Sequence, residues 1–170
     1  MMVSRAKINS LLDYDPKTGL LRWKRLSSTH NKTSKIGEVA GSKTTKGYLL
    51  IMVGGERHLA HRMIWFMVTG KWPKNQIDHK NGIKNDNRWS NLREATGSQN
   101  KANVAAYKGS LSGIKGAYYE PHRTSYKKWR AVIRKDGKLK HIGYFATPEE
   151  ANLAYAEAAT KAHGEFARTA

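Results

Sequence analysis

Apolar and polar positions follow one rhythm up to about residue 104 and another after about residue 113. Residues Ala6–Leu12 read as a short helix. Asp15-Pro16-Lys17-Thr18-Gly19 predicts a turn, because Pro fixes φ and Gly is free to take a positive one, and a strand Leu20–Lys24 follows it. From Ser27 to Lys46 the chain is polar and rich in Lys, Ser, Thr and Gly, which predicts mostly loop. Tyr48–Val53 and Arg57–Ala60 flank Gly54-Gly55, a hairpin signal. His61–Thr69 is apolar at Met63, Ile64, Phe66, Met67 and Val68 and predicts a buried helix, stopped by Gly70 and Pro73.

Gln76–His79 and Leu92–Ala95 read as two short strands joined by a polar loop, Lys80–Ser90. Thr96, three residues before Gln99, has the capping-box spacing and predicts a helix start. Val104–Ser112 lacks periodicity and reads as a linker. In the tail, Gly116–Glu120, Trp129–Lys135 and Lys138–Tyr144 predict three strands, the last two joined by a tight turn at Asp136-Gly137. Thr147, Pro148 and Glu150 supply a cap, a first-position proline and a third-position glutamate for a final helix. That helix carries Ala151, Ala154, Tyr155, Ala158, Ala159 and Ala162 on one face and ends at Gly164. The expected class is α+β.

Composition adds a partner. The 170 residues hold 31 Lys and Arg against 13 Asp and Glu, a formal charge of +18. Such an excess favours a polyanion, since each cation that neutralises a phosphate releases a condensed counterion. Both parts share it, with 20 cations against 7 acids in residues 1–110 and 11 against 6 in 111–170. A membrane surface would call for a basic amphipathic helix with a large apolar face, and none is evident. With no cysteine, disulfides and cysteine zinc sites are excluded. No signal-length or membrane-length apolar run occurs, so a cytoplasmic protein is expected.

The chemistry concentrates at Asp78-His79, with Asn91 twelve residues after the histidine and Asn100 twenty-one after it. Phosphodiester cleavage needs these types. A hard divalent cation takes oxygen ligands, which Asp78 and the Asn100 amide can supply. A water needs a base with a pKa near neutrality, which His79 can supply. Asn91 suits a structural role, bonding backbone across the loop to hold His79. Neighbours in a regular strand point to opposite faces, so one shared site requires the strand to end or bulge at Asp78-His79. His61 suits support of the site, a phosphate contact, or capping and packing; His30, His58 and His163 carry no functional assignment.

The runs Ile77-Asp78-His79-Lys80-Asn81-Gly82, Asn91-Leu92-Arg93-Glu94-Ala95-Thr96 and Ser98-Gln99-Asn100 resemble the HNH homing endonucleases of phages. The resemblance extends upstream to Ala60-His61-Arg62. It implies a ββα-metal core, with Asp78 and Asn100 binding one Mg²⁺ or Mn²⁺ per active site, His79 as general base and Asn91 as the structural residue of the loop. The third motif position is Asn where many members have His, which disfavours zinc and favours a hard metal.

The tail resembles the ethylene-response-factor type of DNA-binding domain, which also occurs fused to phage HNH nucleases. Ser112-Gly113-Ile114-Lys115-Gly116, Trp129–Arg134, Ile142-Gly143-Tyr144-Phe145 and Glu149-Glu150-Ala151 carry the match. That family lays its sheet in the DNA major groove. Alternation places Arg130, Val132 and Arg134 on one face and Trp129, Ala131 and Ile133 on the other. Lys115 and His141 fall at positions that contact DNA in the family, so Lys115, Arg130, Arg134 and His141 are the expected DNA contacts. The chain departs from the plant pattern at Ala117-Tyr118-Tyr119 and at His141, so the plant sequence preference does not carry over.

The expected organisation is therefore a nuclease domain over 1–104 with its core motif at about 76–104, a linker over 105–112, and a DNA-binding domain over 113–168. The expected function is a metal-dependent endonuclease acting on double-stranded DNA as a monomer or dimer, located in the host cytoplasm if phage-encoded. A catalytically inactive DNA-binding or regulatory protein is the alternative. An RNA-binding protein would need exposed aromatic platforms, and Trp129 and Tyr155 read as core instead.

Overall fold

The computed structural model describes residues 3–26, 35–107, 109–135 and 137–169. The chain is a mixed α+β protein that divides into two compact units, Met1–Glu94 and Ala95–Ala170. The expected linker over 105–112 lies inside the second unit, where residues 104–112 form neither helix nor strand among those described.

In the first unit, Ser4 accepts a hydrogen bond from the Lys7 amide and starts α1 (Arg5–Leu11), which buries Ile8 and Leu11. Where the sequence suggests helix up to Leu12, the backbone of Leu12 is already extended, and β1 (Leu12–Asp15) begins there. Leu12 and Tyr14 alternate inward on a strand with too few apolar residues to announce itself. It pairs antiparallel with β2 (Leu20–Trp23), with Leu12 opposite Trp23 and Asp15 opposite Leu20. The intervening turn is locked by the Asp15 carboxylate, which accepts from the Lys17 amide and the Thr18 hydroxyl.

Residues 27–34 of the expected loop lie outside the described residues; beyond them the loop contains a two-residue strand, β3 (Ser42–Lys43). It borders β4 (Leu49–Val53), which pairs with β5 (Glu56–Leu59) through the Gly54-Gly55 turn. Both glycines take positive φ, 63° and 82°, as a type I′ hairpin requires. The helix α2 (Ala60–Thr69) buries Ala60, His61, Met63, Ile64 and Met67 and stops at Gly70, whose φ is 77°. Ile8, Leu12, Ile51, Val53, Met63 and Ile64 form the centre of the core. β6 (Gln76–His79) and β7 (Leu92–Ala95) pair beside it, contributing Ile77 and Leu92.

The second unit opens with α3 (Gly97–Ala102). Thr96 and Gln99 form the reciprocal capping box that their spacing predicts. An antiparallel sheet of β8 (Ala117–Tyr119), β9 (Trp129–Lys135) and β10 (Lys138–Phe145) follows, with β9 central. Lys135 and Lys138 face each other across the turn, and Gly137 has φ 77°; Asp136 lies outside the described residues. The helix α4 (Pro148–His163) is capped by Thr147 and lays Ala151, Tyr155 and Ala159 on Ala117, Ala131 and Ile133. Small side chains on both surfaces let helix and sheet approach closely. No helix among the described residues is long and apolar enough to cross a membrane.

Gly116 shows how tight that approach is. Its φ is 81°, and a Cβ there would stand 2.1 Å from Cγ of Tyr155. Gly116→Ala should therefore cost about 2 kcal/mol or more through strain and overpacking, read as a lowered urea midpoint; an unchanged midpoint would contradict the packing.

Candidate active site

Asp78 and His79 end β6, both 4% exposed, after the buried Ile77. The strand stops at His79, as a shared site requires: the Gly82 amide donates to the His79 carbonyl at 2.8 Å, and Gly82 turns the chain at φ 73°.

The loop from Lys80 to Asn91 is built from amides. The Asn91 side-chain oxygen accepts from the Asn81 amide N–H at 3.0 Å. Asn91 Nδ2 donates to Asn81 Oδ1 at 3.0 Å and to the Asp86 carbonyl at 2.7 Å. Asn81 Oδ1 also accepts from the Ile83 amide, a local turn that Asn favours. Asn81 Nδ2 donates to the Asp86 carboxylate, which pairs with Arg88; that guanidinium holds the Asp86 pKa down at about 2. The Lys80 amide donates to the Asn91 carbonyl, so the loop closes on itself at the mouth of the two strands.

His79 is surrounded more closely than the motif alone suggests. Its Nε2 lies 3.0 Å from Asn87 Oδ1. His61, on α2, meets it edge to face with ring centroids 5.1 Å apart, and the Tyr48 ring lies 5.3 Å from His61 and 6.2 Å from His79. Burial pushes the His79 pKa below its ordinary value, against the Asn87 hydrogen bond and the charges of Asp78 and Asp86. The ring is therefore neutral at physiological pH, the form that accepts a proton. Asp78 is held from β7, where Arg93 donates Nε–H to Asp78 Oδ2 at 2.9 Å across a largely buried ion pair.

Of the expected site residues, the first unit brings together Asp78, His79 and Asn91. Asn100 lies in α3, in the second unit, its amide bonded to the Thr96 carbonyl. Sequence reasoning did not single out Asn87, Arg93 or Tyr48. Asn87 is one of several asparagines in a stretch that reads as a turn, and its spacing carries no separate signal.

In the second unit, register places Tyr118, Arg130 and Tyr144 side by side on one face, with Val132 beside His141 and Arg134 beside Leu139. Arg130 pairs with Glu120 at 3.1 Å. Arg134 is exposed and donates to the Gly137 carbonyl at 3.0 Å. His141 packs against Tyr144, over which Arg123 stacks at 3.7 Å. Lys115 is placed differently from the other three. It is half-buried, its ammonium donates to the Ala102 carbonyl, and burial, then Arg168, brings its pKa down to about 8. A cavity of about 590 Å³ in this unit is lined by Lys101, Lys115, Arg134 and His163 among others, and by no acid among the described residues. Tyr155 is core, as the sequence suggests, and Trp129 packs half-buried against Ala117, Ala131 and Ala151; Tyr118, 49% exposed, is an aromatic on the arginine face that the sequence alone does not announce.

Comparison with known proteins places a family on this geometry. Residues 58–102 match the family model described as HNH endonuclease, a span that contains Asp78, His79, Asn91 and Asn100. The chain thus carries an HNH endonuclease domain there. It is also similar to Protein 3.8 of Escherichia phage T7, 29% identical over 109 residues that cover 64% of this chain and 87% of that protein. No solved structure matches. These findings support a nuclease of phage HNH type at the level of the family.

The buried His61 makes a pH prediction. Burial, with the neighbouring His79 and Arg62, lowers its pKa from 6.5 to about 3. The unfolded chain therefore binds a proton at this residue below about pH 6.5 that the folded chain refuses until about pH 3. Stability from this group is complete above pH 6.5 and is lost as pH falls toward 3. Urea midpoints should decline over that window, and His61→Phe should flatten the decline; equal slopes for both proteins would refute the shift.

Proposed function

We propose that this chain is a metal-dependent DNA endonuclease whose HNH centre hydrolyses phosphodiester bonds and whose tail positions it on the duplex. The observation that carries the reading is the buried imidazole of His79 at the end of β6, next to the Asp78 carboxylate and inside the HNH match.

The donor chemistry fits a hard cation. Among the described residues no three His, Asp or Glu side chains gather into a metal cage. A site here would rest on one carboxylate oxygen from Asp78 and one amide oxygen from Asn100, donors that suit Mg²⁺ or Mn²⁺. When bound, such an ion supplies charge stabilisation at the scissile phosphate and the leaving oxygen. The rest falls to the chain. His79 takes a proton from the attacking water. Asn91 fixes the loop behind it, and Arg93 restrains the Asp78 carboxylate as outer partners of ligands do.

Residues 113–168 serve as a DNA-binding module of the ethylene-response-factor kind. Arg130, Arg134 and His141 present the contacting face, and Lys115 joins them if its ammonium leaves the Ala102 carbonyl for a phosphate. Two modest binders on one chain gain from effective concentration, so neither has to bind tightly alone.

Supercoiled plasmid with Mg²⁺ tests the catalytic part. Wild type should nick or linearise it, EDTA should stop the reaction, and His79→Ala should lose cleavage while keeping DNA binding. Turnover by His79→Ala removes the histidine as base, and turnover in metal-free buffer removes the Asp78 and Asn100 assignment. For the tail, Arg134→Ala should weaken duplex binding by about 1–3 kcal/mol if it reads a base, relaxing specificity at one position. An unchanged isotherm would direct the tail to another partner.

A further inference from the structure

Three groups have no part in the reaction as proposed: the Asn87 side chain beside His79, and the Tyr14 hydroxyl and the turn at Gly19 that lie against the Asn87 backbone. Asn87 is 1% exposed, yet its Nδ2 finds no partner among the described residues. An apolar side chain of the same shape would bury at lower cost. What the amide does make is the 3.0 Å contact from Oδ1 to His79 Nε2.

Residues far away in sequence hold Asn87 there. Tyr14, on β1, donates its hydroxyl to the Asn87 carbonyl at 2.8 Å. Burial, with Asp15 and Asp86, pushes the Tyr14 pKa up to about 12, so the donor keeps its proton. The Trp89 amide donates to the Pro16 carbonyl at 3.1 Å. Gly19, at φ 75°, lies so close that a Cβ would stand 2.4 Å from Arg88 N and 2.5 Å from the Asn87 carbonyl carbon. The turn between β1 and β2 is thus laid backbone to backbone against the segment carrying Asn87. All of it precedes residue 58, where the HNH match begins.

We infer that Asn87 is a positioning residue that holds His79 in its Nε2–H tautomer, and that the β1–β2 hairpin belongs to the nuclease machinery by fixing Asn87 through Tyr14 and Gly19. With the amide oxygen toward the ring, Nε2 carries the hydrogen and donates it. The lone pair then sits on Nδ1, the nitrogen that receives the proton from water. The water O–H bond breaks, its electron pair stays on the oxygen that attacks phosphorus, and the ring becomes imidazolium. The inference rests on His79 being the base. The opposite amide orientation would move the lone pair to Nε2 and turn it away from the reaction.

Long-range proton–nitrogen spectra of the full chain, labelled with ¹⁵N-histidine in metal-free buffer at pH 7.5, read the tautomer directly; His79→Ala assigns the signal. Wild type should show Nε2–H. Asn87→Leu, similar in volume but without an acceptor, should lose that preference and lower kcat for plasmid cleavage about 100-fold with little change in KM. Tyr14→Phe keeps the ring and the fold; it should shift the tautomer partly and lower kcat about 10-fold. An Nδ1–H signal in wild type, or an unchanged tautomer and kcat in Asn87→Leu, overturns the role of Asn87. If Asn87→Leu does not fold, unchanged spectra and kcat in Tyr14→Phe overturn the part given to the hairpin. Wild type that shows Nε2–H and cuts no DNA overturns the nuclease reading and with it the hairpin's catalytic role, an outcome distinct from a failed Asn87–His79 pairing because the tautomer is read without cleavage.

Discussion

As the proposed base, His79 has to stay neutral and fixed in surroundings that water barely reaches. At 4% exposure, burial favours the uncharged ring, and the hydrogen bond to the Asn87 amide oxygen with the charges of Asp78 and Asp86 keeps that preference from becoming extreme. A base whose proton affinity fell too far could no longer pull hydrogen from water. The same balance needs a fixed ring plane, and His61 and Tyr48 supply it from a helix anchored in the core and from the residue that leads into β4. The helix that carries His61 buries Met63, Ile64 and Met67, so the ring edge facing His79 is set by core packing.

The parts of this chain visible in its sequence are those whose signal is local. The capping box at Thr96, the Gly54-Gly55 hairpin and the alternation in Trp129–Lys135 each depend on residues within a few positions. The strand Leu12–Asp15 is hidden in the sequence because it is four residues long and only its pairing with β2 defines it. The same reasoning applies to the site. Asp78, His79 and Asn91 stand out by spacing. Asn87 stands out only when Tyr14, 73 positions away, is seen donating to it. Arg93 reads as one more cation in a chain full of them until its guanidinium is found on Asp78. Lys115 shows the reverse: a resemblance points it toward DNA, and its ammonium is bonded to a backbone carbonyl.

The two arginines of the sheet show how far alternation carries. Arg130 and Arg134 share a face, which the period of two requires. Their surroundings differ for reasons that alternation does not contain. Arg130 sits between Tyr118 and Tyr144 and is paired with Glu120, whereas Arg134 lies beside Leu139 next to the turn that closes the hairpin. A polyanion approaching this face would have to displace Glu120 from Arg130 but would meet Arg134 held only by a backbone carbonyl. A charge already paired gains less from a new partner, so Arg134 is the more available of the two for a phosphate or a base edge.

The scaffolding of the loop from Lys80 to Asn91 is made largely of neutral groups, and this suits the DNA substrate proposed for the site. DNA brings closely spaced negative charge and an ion atmosphere that rearranges as it docks. A loop held together by ion pairs would feel that field in every bond. Asn91 instead bonds the Asn81 side chain and the backbone through amide groups, which carry no net charge and do not titrate, and Asn81 adds one contact to the Asp86 carboxylate. The one ion pair in the loop, Asp86 with Arg88, has its arginine in solvent, where salt already weakens it. Geometry around His79 can then stay the same before and after the phosphates arrive, which is the condition for a base to be in place when the bond is to be broken.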